Sequence, residues 1–174
     1  MSNLTGKRIV ILVAEQFQDM EVMYPYYRFK EEEAEVVVAG TGSAEIYNGK
    51  FGYPVKVTTT ADKLKAADID AVIIPGGWAP DFLRRYDFVN NFVREAFKKG
   101  KVIASICHGG SVLVSAGILK GKTATAFRAI KDDMIAAGCN FVDKETAIDG
   151  NLITSRTPDD LPAFCKAIIK KLSK

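Results

Sequence analysis

Cys107 and His108 are adjacent, and together they have the means for covalent chemistry. A thiolate is a strong nucleophile, and an imidazole exchanges protons near neutral pH. His108 is the sole histidine in the chain, so any histidine role in acid–base work falls on it. The pair lies in Ser105-Ile106-Cys107-His108-Gly109-Gly110, directly after the apolar run Val102 to Ile106. A residue held between strand and helix occupies a tight turn with its side chain presented outward. The small residues two positions to either side, Ser105 and Gly109, give that elbow room. A helix beginning there would favour the thiolate through its unpaired N–H groups and dipole. An inert buried thiol is the commoner fate of a free cysteine. The strand–glycine context and the adjacent histidine weigh against it for Cys107. Cys139, in a loop after Gly138, and Cys165, beside Phe164, read as inert.

The elements needed to hold such a pair follow from the hydrophobic pattern. Arg8 to Val13, Val36 to Ala39, Asp70 to Ile74 and Val102 to Ile106 are near-continuous apolar runs of the buried-strand kind. Helical stretches alternate with them. One runs from an Asp19 N-cap to about Glu33, one is short (Leu64 to Ala67), and one covers Asp81 to Lys99 before Gly100. Others run to Ala116 before Gly117, from about Ile130 to Ala137, and from Pro158 to the end. Residues 46–59 read as a small antiparallel excursion, Thr123 to Ala126 as a further extended stretch, and Asp149-Gly150-Asn151 as a hairpin turn. The expected fold is a single α/β domain over residues 1–174, a flavodoxin-like, doubly wound and mainly parallel sheet with helices on both faces. In such sheets ligands bind beyond the carboxyl ends of the strands. A second strand end, Ile74-Pro75-Gly76-Gly77, is therefore expected to share the site with Cys107.

Composition narrows the function. The net charge of +3 arises from 24 basic and 21 acidic residues spread along the chain, which speaks for solvated faces rather than a nucleic-acid footprint. No apolar run is long enough to cross a bilayer, and the first apolar stretch reads as a strand rather than a signal peptide. Three widely spaced cysteines suit reduced thiols in a cytoplasmic protein. On that reading the Asn3-Leu4-Thr5 sequon carries no meaning. One histidine and three dispersed cysteines do not make a zinc site. Gly121-Lys122-Thr123 has its upstream glycine at position 117, one residue too close for a phosphate loop, and Gly40-Thr41-Gly42 lacks the third glycine of a dinucleotide fingerprint. Ser111 lies past the elbow without a hydrolase's glycine pattern. Phe82, Phe88, Phe92 and Phe97 recur at near-helical spacing and read as core. Tyr24, Tyr26 and Tyr27 cannot all face inward from one helix, which points some of them at a subunit contact.

Pro75-Gly76-Gly77-Trp78-Ala79-Pro80-Asp81, Ala104-Ser105-Ile106-Cys107-His108-Gly109 and Ile130-Lys131-Asp132-Asp133-Met134 together resemble the PfpI family of intracellular proteases and protein deglycases. Asp19-Met20-Glu21 with Tyr24-Pro25, and Asp149 to Arg156, extend the likeness in order over nearly the whole chain. The resemblance implies Cys107 as nucleophile and His108 as its histidine. It implies Glu21 as a carboxyl that hydrogen-bonds the thiol, and Asp81, where relatives carry the longer Glu, as the acid that completes a triad from a neighbouring subunit. Backbone N–H groups around Gly76 and Gly77, with that of His108, would form an oxyanion hole. From the residues alone, Asp81 fits a helix N-terminus as well as catalysis, Glu21 reads as a first-turn carboxylate, and Gly76-Gly77 as a tight turn. Trp78 stands where the family often has Arg, Gly110 where it has Pro or Ala, and Phe127 where it has Tyr, so a more apolar pocket is expected.

The expected activity is that of a cysteine-dependent hydrolase or lyase. Its substrate would be a peptide, a glycated protein or a 2-oxoaldehyde, with no cofactor and no metal. A homo-oligomer, dimer or hexamer, would carry it, without specific nucleic-acid or membrane partners. The alternative is a redox sensor or stress chaperone built on an oxidisable cysteine. A glutamine-amidotransferase-like domain needs a histidine far downstream, which this chain lacks.

Overall fold

The computed structural model describes residues 4–173; Asn3 of the sequon lies outside them. The chain runs β1 (Arg8–Leu12), α1 (Asp19–Glu31), β2 (Glu35–Gly40), β3 (Ile46–Asn48), β4 (Pro54–Lys56), β5 (Thr59–Thr60), β6 (Ala71–Ile74), α2 (Ala79–Leu83) and α3 (Asp87–Lys98). It continues through β7 (Val102–Ile106), α4 (Gly110–Ala116), β8 (Thr123–Ala124), α5 (Lys131–Ala136), β9 (Asn140–Phe141), β10 (Thr146–Asp149), β11 (Leu152–Ser155) and α6 (Leu161–Leu172). The central sheet has the order β10-β11-β7-β6-β1-β2-β5, parallel except for the β10–β11 hairpin. Its core order, β2-β1-β6-β7-β11, is that of the flavodoxin-like doubly wound sheet, whose switch point lies between β1 and β6.

The strands at that switch point are apolar throughout because both faces are covered. Ile9 to Leu12 and Ala71 to Ile74 have no accessible surface. α1 and α6 pack on one face, and α3 and α4 on the other. Phe92 is buried, whereas Phe82, Phe88 and Phe97 lie partly buried against the core. Among the described residues no helix is long and apolar enough to cross a membrane.

Several boundaries differ from the sequence expectation. Gln18, not Asp19, caps α1, with its side chain accepting the Glu21 N–H at 3.1 Å. The Asp19 carboxylate is engaged elsewhere, by the N–H groups of Phe51 (3.0 Å) and Tyr53 (3.1 Å). The long helix over 81–99 is two helices. Pro80 starts α2 early, Tyr86 is extended, and the Asn90 side chain donates to the freed Arg84 carbonyl at 2.8 Å. The short helix at 64–67 is replaced by two 3-10 turns, since Lys65 between them is extended and neither turn is long enough to nucleate a helix. Pro158 opens a 3-10 turn, and the α-helix itself begins three residues later. The 46–59 excursion is the β3–β4 hairpin, after which β5 joins the main sheet in parallel.

Candidate active site

The elbow forms where β7 ends. Cys107 has φ +59°, a left-handed conformation that costs a non-glycine residue about 1 kcal/mol. It is followed by a 3-10 turn over residues 107–109 that leads into α4. Ser105 is buried behind it. A Cβ on Gly109 would collide with the Ile74 carbonyl oxygen, so only glycine lets the elbow lie against the end of β6.

Neighbouring loops bring the remaining groups in. Gln18 N–H donates to the Gly76 carbonyl (3.1 Å) and Trp78 N–H to the Gln16 carbonyl (2.8 Å). These bonds hold the 76–78 loop against the start of α1. A Cβ on Gly76 would lie 2.8 Å from Cys107 Cβ, 2.8 Å from Glu21 Oε2 and 2.9 Å from the His108 nitrogen. Gly76 is thus where three residues singled out from the sequence converge, and no side chain fits there.

Glu21 has no accessible surface, and its Oε2 accepts the Gly76 N–H at 2.6 Å. Burial pushes its carboxyl up from 4.5 to about 7, against the lowering effects of that bond, the Cys107 thiol and the Lys50 charge. Its Oε1 is buried without a nitrogen or oxygen partner among the described residues, and the adjoining thiol is the group it can serve.

Cys107 Sγ lies 3.3 Å from His108 Nδ1. The backbone N–H groups of His108 and Gly77 act on the thiol in the lowering direction. Even so, burial, followed by the Glu21 charge, pushes the thiol up to about 12. The expected lowering by a helix terminus is overturned, because the α-helix starts only at Gly110 and the sulfur is largely desolvated. His108 is half-buried, and its ring stacks on Phe127 with centroids 4.8 Å apart. Burial lowers its pKa, the Lys50 charge lowers it further, and the Asp81 charge opposes both. Burial thus favours the neutral imidazole, the form able to accept a proton.

One placement from the sequence needs correction. The Gly76 N–H is spent on Glu21, so the donors facing the reacting atom are those of Gly77 and His108. Asp81 is exposed on α2 and, among the described residues, makes no hydrogen bond to His108 of its own chain; only its charge reaches the ring.

The site opens into a pocket of ≈ 260 Å³ whose lining includes Glu21, Lys50, Phe51, Trp78, Cys107 and Phe127. Trp78 and Phe127, the two departures from the family pattern, both lie in this lining. Lys50 and Phe51 were not legible as site residues. They come from the β3–β4 turn, carried over the pocket by the Asp19 carboxylate and by Lys50 N–H donating to the Phe17 carbonyl (2.8 Å). Their sole local signal is the turn glycine pair Gly49 and Gly52.

Comparison with known proteins identifies relatives of the whole chain. The DJ-1/PfpI family model matches residues 7–171. The deglycase PH1704 of Pyrococcus horikoshii is 44% identical over 165 residues, 95% of this chain and 99% of its own length. The protein/nucleic acid deglycase 2 of Escherichia coli is 36% identical, covering 96% of this chain and 98% of its own. Among solved structures, Drosophila melanogaster DJ-1beta superposes with a TM-score of 0.89 at 27% identity, over 96% of this chain and 90% of its own. With its family model spanning the sheet from β1 to α6 and the cysteine elbow inside it, the chain belongs to the DJ-1/PfpI family.

Proposed function

We propose that the protein is a cysteine-dependent deglycase, a hydrolase that releases amines from early carbonyl adducts on proteins and also accepts 2-oxoaldehydes or peptides. The observation that carries this reading is the placement of Cys107 Sγ, which has the His108 imidazole nitrogen at 3.3 Å. As the sulfur adds to the substrate's electrophilic carbon, its proton passes to His108 Nδ1. The electron pair of the carbonyl moves to oxygen, and the Gly77 and His108 N–H groups would stabilise that charge. Glu21, raised to about 7, can hold a proton beside the sulfur and share it with a thiolate. With a peptide, collapse of the adduct expels the amine with the proton held on His108, and water hydrolyses the acyl-cysteine. With a methylglyoxal carbinolamine, the amine leaves with that proton as its aldehyde-level carbon passes to sulfur. A proton shift from that carbon to its neighbour turns the hemithioacetal into a lactoyl thioester, and water releases lactate and the free thiol. No step requires a cofactor.

A redox sensor uses the same thiolate as an enzyme, so turnover of substrate is what separates the two readings. We further infer that the working unit is a homo-oligomer, a dimer or a hexamer, in which Asp81 from a second copy completes the triad at His108. The exposure of Asp81, together with the exposed apolar side chains Phe51, Trp78 and Met20, supports this arrangement. Reduced thiols and the absence of a membrane-crossing helix among the described residues suit a cytoplasmic setting.

The test is steady-state release of amine from a methylglyoxal-modified peptide, run beside methylglyoxal and an unmodified fluorogenic peptide. Wild type should consume the modified peptide, and Cys107→Ser should not. Consumption of the unmodified peptide alone would make the protein a peptidase. Consumption of none, with selective peroxide modification of Cys107, would replace the enzyme reading with the sensor.

A further inference from the structure

The Phe127 ring separates two cavities. On one side it stacks on His108 and lines the reactive pocket. On the other it borders a larger cavity of ≈ 450 Å³ whose charged lining is Arg128, Lys131, Asp143 and Arg156. The two are neighbours along the chain as well, since Thr157 lines the second and Pro158 the first. Phe127 N–H also donates to the Cys107 carbonyl at 3.2 Å, so the wall between the cavities is fastened to the nucleophile's own backbone.

The charges of the second cavity divide into two sets. Arg156 is consumed internally, donating to both Asp160 oxygens (3.0 and 3.1 Å) and to Asp143 (2.7 Å), which also neutralises Asp143. Arg128 and Lys131 have no carboxylate partner among the described residues, and both are exposed. Lys131 Nζ lies 6.0 Å over the Phe141 ring at the cavity edge. Across Phe127, Lys50 adds a third cation in the reactive pocket, close enough for its charge to act on both Glu21 and His108. The cavity beyond Phe127 therefore carries two cations without carboxylate partners among the described residues and is large enough for a side chain. The reactive pocket adds Lys50, opposed at His108 by the Asp81 charge.

We propose that this second cavity is a subsite for an anionic group on the substrate, and that the preferred substrate is a peptide or protein segment with an acidic side chain beside the carbonyl-modified residue. The inference rests on the reading of Cys107 as the nucleophile. Arg128 and Lys131 would bind the flanking carboxylate while the adduct reaches Cys107 past Phe127.

The experiment uses two methylglyoxal-modified peptides that differ only in Asp or Asn beside the modified residue. The proteins are wild type, the double variant Arg128→Ala/Lys131→Ala, and Lys144→Ala as a surface-charge control outside the cavity. Wild type should favour the Asp peptide about tenfold in kcat/KM, the scale that one or two solvent-screened ion pairs supply. The ratio should fall toward one in the double variant and in high salt, and persist in Lys144→Ala. Equal rates on the two peptides by an active wild type would overturn the subsite and leave the nucleophile reading intact. If neither peptide is consumed, fluorescence anisotropy of both on Cys107→Ser decides. Tighter binding of the Asp peptide, lost on adding the double substitution, sustains the subsite, and equal binding overturns it.

Discussion

Glu21 and Gly76 lie 55 residues apart in sequence and are joined by a 2.6 Å hydrogen bond from the glycine N–H to Oε2. That bond fastens the first turn of α1 to the end of β6, across the switch point of the sheet. It also fixes a carboxyl with no access to water beside the thiol of Cys107. The two acids share one confined space, and burial raises both. A second negative charge there is opposed by the first, so each proton's position depends on the other group.

Glu21→Gln should therefore lower the pH at which Cys107 ionises, because it removes a charge that pushes the thiol up. Thiolate absorbance followed against pH, with Cys107→Ser as the blank, measures this. A thiol that titrates at the same pH or higher would show that the Glu21 charge does not govern it. Activity should still fall by roughly 100-fold, since the amide carries no proton to exchange with the sulfur.

The same substitution should stabilise the fold. The folded state holds the Glu21 proton up to about pH 7, whereas the unfolded chain releases it near 4.5. Between those values the folded state binds more protons, so this group's contribution is fully present below 4.5 and is lost as pH rises through about 7. The loss is about 3 kcal/mol. Glu21→Gln cannot ionise and should gain by that order relative to wild type as pH climbs, with little difference in acid. Urea unfolding at pH 4 and pH 8 gives the comparison, and identical pH dependence in the two proteins would refute it.

His108 must be neutral to accept a proton, and burial keeps its pKa below the ordinary 6.5. The acid limb of kcat/KM should accordingly lie below that value. Phe127→Ala removes the stacked ring and exposes the imidazole. The limb should then move to higher pH, with kcat/KM down roughly tenfold from lost positioning. A limb that stays in place while the rate drops would mean that Phe127 only shapes the pocket.

The elbow and the central strands were legible in the sequence because they rest on local signals. Apolar runs too continuous for a half-exposed strand mark β1, β6 and β7, and Ser105 and Gly109 flank a cysteine that the chain holds in a left-handed turn. What failed locally were choices made by tertiary partners. Asp19 looks like a cap and would serve as one if the Phe51 and Tyr53 N–H groups did not claim its carboxylate. Lys50 and Phe51 join the pocket through that long-range contact, which no periodicity encodes. The direction of the Cys107 shift was missed for a related reason. Adjacency to a helix is visible in sequence, whereas burial of the sulfur and the Glu21 charge beside it are not.

Backbone strain at the elbow is separable from its chemistry. Cys107→Ala and Cys107→Gly both remove the sulfur, but alanine keeps the penalty of φ +59° and glycine does not. In a helix interior glycine costs about 1 kcal/mol relative to alanine; here the order should invert by a similar amount. Thermal unfolding of the two variants tests this, and a more stable alanine variant would show that the turn is not held against a local preference.

Asp19 gives the last test, because it reaches the site only through the hairpin. Its two oxygens take the N–H groups of Phe51 and Tyr53, and the turn glycine Gly49 lies so close that a Cβ there would collide with the carboxylate. Asp19→Ala leaves both donors without their acceptor and should loosen the turn that carries Lys50 and Phe51 over Cys107. It should cost about 1–3 kcal/mol of stability. Its kinetic signature should be a raised KM for a peptide substrate together with faster alkylation of Cys107 by iodoacetamide, because a cover has been lifted while Cys107, His108 and Glu21 stay in place. Slower alkylation would mean instead that the carboxylate holds the elbow itself, through α1 and Glu21, and that the hairpin is not a cover.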